Sequence, residues 1–265
     1  MPSISLSSIH VYPVKACGGL SPTEWDVDDF GLSHDRRWMV TTLTGVFLTQ
    51  REEPRLALIR PELTDDALVL RAPGMPVLSL PLVPAKPDRV RIEVWDDVTE
   101  GVPVAPEAAQ WLSRYLGALV RLVWMPDDVR RPTDPMYAHG YRVSFADGFG
   151  FLLLSEASLE DLNRRLETPL PMNRFRPNLV VRGTQPFAED GWRRFRVNGI
   201  ELDVVKPCDR CVVTTTDQDT AERGKEPLRT LATFRRRDGK VLFGQNLVHR
   251  GTGRLAVGAP VEVLA

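Results

Sequence analysis

Short apolar or alternating runs rich in Val, Leu and Ile recur along the chain, separated by Gly, Pro and Asp, which is a pattern of strands and tight turns. The runs that read as strands are Ile4 to Pro13, Arg37 to Thr42, Ala67 to Arg71, Val90 to Val94, Arg121 to Met125, Asn178 to Arg182, Phe195 to Val197, Glu201 to Val205 and Val212 to Thr216. Most of the 22 prolines fall between them, as suits a residue that cannot donate to a ladder. Three stretches place apolar residues at helical spacing instead. Pro106 to Leu116 aligns Ala108, Trp111, Leu112, Tyr115 and Leu116 on one face. Ser155 to Glu167 aligns Leu159, Leu162 and Leu166, with Ser155 or Ser158 as N-cap and acidic residues in the first turn. Glu226 to Arg236 offers Leu228, Leu231 and Phe234. The expected fold is mainly β with a few helices (α+β).

The segment Met125 to Gly150 breaks the pattern, being crowded with Pro, Asp, Gly and Arg, and reads as a linker or functional loop between two halves. At 265 residues one or two domains are expected. The boundary is drawn near residue 122, giving 1–122 and 123–265.

Charge narrows the partners. The net charge of −1 comes from 34 basic and 35 acidic residues, so no global field draws the chain onto nucleic acid or an anionic bilayer. Any anion site must be local. The opening MPSISLSSIHVYPVK has no cationic leader before a long apolar run, and no later stretch reaches about 18 apolar residues, so a cytoplasmic chain without a membrane partner is expected. Three cysteines do not make a disulfide framework, so Cys208 and Cys211 need another reason.

Those two cysteines stand in Lys206-Pro-Cys-Asp-Arg-Cys-Val-Val-Thr-Thr-Thr-Asp217, between two strand-like segments. A structural zinc site wants a second pair of ligands, and Cys17 with four scattered histidines is a poor substitute. A redox dithiol wants its thiols at the start of a helix, whereas a β-branched run follows here. A third reading makes one thiolate the ligand of a soft transition metal, with Arg210 and Lys206 helping to keep it deprotonated. A fourth makes both residues small buried hydrophobes beside a turn. Composition alone leaves these open. Asp217 and Asp219 read as turn formers rather than a carboxylate pair. His139 and His249 have no acid at a pairing distance in sequence and receive no role.

The run Cys208-Asp-Arg-Cys211-Val-Val-Thr-Thr-Thr-Asp-Gln-Asp-Thr, followed by Glu226-Pro-Leu-Arg-Thr-Leu, resembles the signature of the MOSC domain. Other segments agree in kind and order: Tyr12-Pro-Val-Lys15, Asp35-Arg-Arg-Trp38, Gln50-Arg-Glu-Glu-Pro-Arg55, Leu154-Ser-Glu-Ala-Ser158, Asn173-Arg-Phe-Arg-Pro-Asn178, and Phe243-Gly-Gln-Asn246 with Val257 to Pro260. They resemble the mitochondrial amidoxime-reducing components and their bacterial relatives from residue 4 to residue 263. The resemblance implies a β-rich MOSC N-terminal domain, then a MOSC β-barrel domain, with a molybdenum-molybdopterin cofactor between them.

Residue by residue, the resemblance implies that Cys211 ligates molybdenum, with Asp209 and Arg210 beside it at the reacting centre and against the pterin. Lys15 and Arg36 would hold the pterin phosphate, Arg176 and Asn178 would complete the pocket, and Arg37 replaces Arg36 if the register slips by one. Asp147, Gly148 and Phe149 fall at a cofactor-contacting turn. Small hydroxyl residues are common there in relatives, so backbone amides are the donors expected from Gly148 and Phe149. Ala16 stands where relatives often carry Ser, which removes one side-chain hydrogen bond.

The implied activity is reduction of N-hydroxylated compounds, namely amidoximes, hydroxylamines and N-hydroxylated bases, a detoxification chemistry. Electrons are expected from a separate ferredoxin or flavoprotein reductase, since neither C-x4-C-x2-C nor G-x-G-x-x-G occurs. The alternative is a sulfur or cofactor carrier acting through the Cys211 thiol.

Overall fold

The computed structural model describes residues 3–85 and 88–265, and among them strands predominate, with three α-helices. Ala67–Arg71 and Val90–Val94 form over the residues expected, and Trp38–Thr42, Val120–Trp124, Leu179–Arg182 and Arg194–Val197 lie within a residue or so of their sequence bounds. Several strands lie outside the runs marked from sequence, among them Glu24–Asp28, Arg60–Leu63 and Asp97–Pro103, and for two others that reach the cleft the reason is physical. Phe151–Ser155 is an unbroken apolar run buried on both faces, Phe151 and Leu153 in the barrel core and Leu154 in the cluster of Leu162, Phe175 and Phe243, so it shows no alternation. Lys240–Arg250 is interrupted in sequence by Gly244, Gln245 and Asn246. Gly244 has φ +82°, and a Cβ there would stand 2.7 Å from the Leu153 carbonyl oxygen, so the tight seam with Phe151–Ser155 needs glycine.

The large sheet runs Ser5–Ile9, Leu179–Arg182, Phe151–Ser155, Lys240–Arg250, Ile200–Asp209, Arg194–Val197, Val261–Val263, with Arg236–Arg237 paired onto Lys240–Arg250. Its ends meet: the Leu6 N–H donates to Ala259 O at 2.9 Å and the Val261 N–H to Ile4 O at 2.9 Å, so the sheet curls into a nearly closed barrel. Leu6, Ile9, Phe151, Leu153, Phe195, Leu202 and Leu247 fill it. A second sheet orders Trp38–Thr42, Val120–Trp124, Asp97–Pro103 and Val90–Val94, and a third joins Arg60–Leu63, Ala67–Arg71 and Leu78–Pro81. The helix Pro106–Leu116 packs on these through Ala108, Trp111, Leu112 and Leu116. It has Pro at N1, and Gly117 in the left-handed region returns its N–H to Ser113 O at its end.

The two halves are laced together by backbone. Ser5–Ile9 enters the barrel beside Leu179–Arg182, and Gly253–Ala256 pairs with Glu24–Asp28. The division near residue 122 falls inside Val120–Trp124, a strand hydrogen-bonded to Trp38–Thr42. Met125 to Gly150 is irregular throughout, with one isolated bridge between Pro132 and Arg142. The other helices are Glu156–Asn163, capped by Ser155, whose Oγ accepts from the Ser158 N–H, and Leu228–Phe234.

One expected strand is replaced. Val212–Thr215 is a turn of 3-10 helix, because the Thr214 and Thr215 hydroxyls donate back to the Cys211 and Val212 carbonyl oxygens at 3.0 and 2.8 Å. Local side-chain bonds of this kind outcompete a ladder. The strand before it is bulged at Val204/Lys206 and Pro207/Asp209, which accommodates Pro207 and bends the strand tip that carries the cysteines.

Candidate active site

A cleft of about 910 Å³, mouth included, opens where Lys15, Arg36 and the Thr49–Arg51 segment face the barrel's Arg174–Asn178 and Cys208–Thr214 loops. Every candidate named above lines it: Lys15, Ala16, Arg36, Asp147, Gly148, Phe149, Arg176, Asn178, Asp209, Arg210 and Cys211. Arg37 does not. Its Nη2 donates to Met125 O at 2.5 Å and to Asp127 Oδ1 at 2.6 Å, and its guanidinium lies 4.2 Å from the Phe30 ring centre.

The three cysteines have different fates. All are free thiols. Cys17 is wholly buried in the core, where desolvation pushes its thiol up to about 12. Cys208 and Cys211 are partly exposed in the cleft wall. Burial raises the Cys208 thiol too, with Arg210 opposing it. Cys211 caps the 3-10 turn with its backbone and leaves its side chain out of the cap. The Lys206 ammonium lies 4.4 Å from the Tyr137 ring centre and does not line the cleft. Arg210 does line it: Nε donates to Phe243 O at 2.7 Å, Nη1 to Phe175 O at 2.9 Å, and Nη2 is buried with no partner.

Lys15 is 6% exposed and donates to Phe145 O at 2.7 Å and to Asp147 Oδ1 at 2.5 Å. Its burial lowers the ammonium's pKa and Asp147 partly restores it. Desolvation in the cleft wall acts to raise the Asp147 carboxyl, but Lys15 and the Trp95 indole N–H prevail and hold it well below the usual carboxylate range. Because 68% of the Asp147 side chain faces the open cleft, solvent screens the pair and its effect is felt chiefly as a pH dependence. A depressed carboxylate stabilises the fold above its ordinary value of 3.8 and does so less as pH falls below it. Denaturation from about pH 6 to about pH 3 is therefore expected to cost Asp147→Asn less stability than wild type. Equal losses would remove this carboxylate from the account.

Arg36 and Arg176 stand side by side, Arg36 Nη2 reaching Arg176 O at 3.5 Å. Arg36 Nη1 donates to the buried Asp35 carboxylate and to Asn178 Oδ1, the latter at 2.9 Å. Asn178 is largely engaged within the protein, since Oδ1 also accepts from the Leu152 N–H at 3.2 Å and one Nδ2 N–H donates to His10 O at 3.1 Å. Its Oδ1 holds the Arg36 guanidinium in place. Ala16, Arg36 and Arg176 have φ of +67°, +50° and +52°. Such left-handed backbone costs a non-glycine residue about 1–2 kcal/mol, and strain of this kind gathers at binding sites.

Several cleft residues carried no sequence signal that could assign them. Arg51 stacks 4.4 Å from the Trp95 ring centre, and Arg174 donates to Thr215 O and Asp217 Oδ2 while its Nε is buried without a partner. Arg131, behind the wall, holds the turn before Asp147. It is 3% exposed and bonds Asp97, Ser144 O, Ala146 O and Asp147 O. Asp217 accepts from the Asp219 and Thr220 N–H groups, the turn role its spacing suggested. His139 is exposed and His249 is buried against Phe151 and bonded to Asp28 O, and neither lines the cleft.

Residues 3–119 match the family model described as the MOSC N-terminal beta barrel domain, and residues 140–262 that of the MOSC domain. Mitochondrial amidoxime-reducing component 1 of Mus musculus is 37% identical over 98% of this chain and 82% of its own length. Its Homo sapiens counterpart is 36% identical over 98% of this chain and 83% of its own length. A molybdenum cofactor sulfurase of Danio rerio is 34% identical over 94% of this chain and 32% of its own length. With both of its domain models matched in order and full-length relatives above 30% identity, the chain belongs to the MOSC family.

Proposed function

We propose that this chain is a molybdenum-cofactor-dependent oxidoreductase that reduces N-hydroxylated compounds, with electrons delivered by a separate ferredoxin or flavoprotein. The observation that carries the reading is one cleft with a soft thiol, Cys211, in its wall together with four cations, the buried Lys15 and the partly buried Arg36, Arg176 and Arg210. A phosphate-bearing dithiolene is anionic at one end and binds a soft metal at the other, so the donor set fits it. Unpartnered polar atoms fit it too, because the buried Arg210 Nη2 and Arg174 Nε lack acceptors among the described residues.

In this reading Cys211 supplies the protein's bond to molybdenum, while Lys15, Arg36 and Arg176 take the phosphate oxygens, the guanidinium forks in pairs. Arg210 and the backbone of Asp209, Gly148 and Phe149 would face the pterin. When bound, the cofactor supplies two-electron oxygen-transfer chemistry. The overall reaction, an amidoxime with two electrons and two protons giving an amidine and water, balances with an external donor. Asp147, held ionised by Lys15, is better suited to orient groups than to give a proton.

Wild-type protein made in a host that synthesises the cofactor is expected to carry molybdenum and to reduce benzamidoxime with reduced methyl viologen. A persulfide on Cys211 with no molybdenum would instead point to a sulfur carrier, a reading kept open by the cofactor sulfurase among the relatives.

A further inference from the structure

Tyr12 is buried, with 4% of its surface exposed, and it does not line the cleft. Two cleft cations nevertheless stack on its ring. The Arg36 guanidinium carbon lies 4.5 Å from the ring centre and that of Arg176 lies 4.2 Å from it. Both arginines hold left-handed backbone, and Asp35 forms an ion pair with Arg36 but not with Arg176. Arg36 is also fastened by Asp35 and Asn178. Among the described residues Arg176 has only Gln218 Oε1, at 3.3 Å, as a side-chain acceptor, so the ring is its main support.

We propose that Tyr12 is a positioning residue whose ring holds Arg36 and Arg176 in place for the anionic end of the ligand. This rests on the cofactor reading above and assigns how this chain aims its own cations. The negative face of an aromatic ring attracts each guanidinium and offsets part of the repulsion between them, most strongly where water is excluded. A planar fork stacked on a ring keeps its edge N–H groups free for phosphate oxygens. The ring face does this work, so the hydroxyl is dispensable.

The ring is itself fixed from an independent direction. A Cβ on Gly19 would stand 2.6 Å from Tyr12 Cε1 and 2.7 Å from Cδ1. The same Cβ would stand 3.1 Å from Val11 O, so Gly19→Ala pushes on the ring edge and on the Val11 backbone without replacing any cleft residue. Tyr12 is further tied by its backbone, its N–H donating to Asp35 Oδ1 at 2.8 Å and its carbonyl accepting from the Arg36 N–H at 2.7 Å.

Two readouts test the assignment without relying on turnover. One is cofactor retained after purification, measured as molybdenum and as pterin fluorescence after oxidation. The other is the rise in thermal midpoint that inorganic pyrophosphate gives to cofactor-free protein. Tyr12→Phe is expected to match wild type in both. Tyr12→Leu and Gly19→Ala are each expected to retain about tenfold less cofactor and to lose most of the pyrophosphate shift. The double variant should fall no further than Tyr12→Leu, because no ring remains for the new methyl to displace. Wild-type retention and shift in both Tyr12→Leu and Gly19→Ala overturn the assignment, and so does a loss in Tyr12→Phe equal to that in Tyr12→Leu. Should Tyr12→Leu fail to fold, Gly19→Ala set against Tyr12→Phe decides the question. A pyrophosphate shift that follows this order, with no molybdenum in any protein including wild type, sinks the cofactor reading and leaves the ring assignment standing. Wild type with neither property overturns both.

Discussion

Cys211→Ser is expected to lower molybdenum content to background and N-reductase turnover by at least about a hundredfold, since loss of a metal's protein ligand exceeds the 10–100-fold typical of outer-shell changes. Stability should hardly move. The Cys211 side chain is partly exposed and makes no capping bond, and serine is a favoured residue at the start of a helical turn, so the change in folding free energy is expected within about 0.5 kcal/mol. Cys208→Ser is the matched control in the same cleft wall. Its thiol is held up by burial, which suits a spectator rather than a thiolate, and that variant should keep both metal and activity. Equal molybdenum in wild type and Cys211→Ser would take Cys211 out of the metal site.

Arg131→Met is expected to be the most destabilising single change outside the apolar core. One buried guanidinium bonds the Ser144, Ala146 and Asp147 carbonyl oxygens and the Asp97 carboxylate, and methionine leaves the carbonyls without donors. At about 1–3 kcal/mol for each buried group left unpaired, a loss of roughly 3 kcal/mol or more follows. For a chain of this size that is a fall of roughly 6–12 °C in thermal midpoint. The same turn positions Asp147, Gly148 and Phe149, so cofactor retention should fall with it. Arg131→Lys keeps the charge without the fork and should recover only part of the loss. A thermal scan in which Arg131→Met melts with wild type would show that the turn is held by other contacts.

Residue type and spacing determined a good deal. The helix Pro106–Leu116 formed over the residues its stripe marked, because an amphipathic period bounded by Pro and Gly is a local property. Alternation in Ala67–Arg71 and Val90–Val94 worked for the same reason. The family motifs named residues that stand far apart in sequence, and the fold gathers Lys15, Arg36, Asp147, Arg176, Asn178, Arg210 and Cys211 around one cleft. What they could not show was each residue's manner of acting. Asn178 holds the Arg36 guanidinium in place, Arg131 holds a cleft turn from behind, and Tyr12 joins two arginines that are separated from it by about 24 and 164 residues of chain.

The strands also divided along this line. Phe151–Ser155 lacks alternation because both of its faces are buried, in two different apolar clusters, and Val212–Thr215 turns because threonine hydroxyls bind carbonyls three residues back. The sequence by itself determined a β-rich chain with a cysteine turn and the basic residues a large anion would need. Only the tertiary structure decided which of two adjacent arginines enters the cleft, which thiols stay accessible and what braces each cation. Periodicity and motif are written in neighbouring residues, whereas burial, stacking and register depend on segments that meet only after the barrel closes.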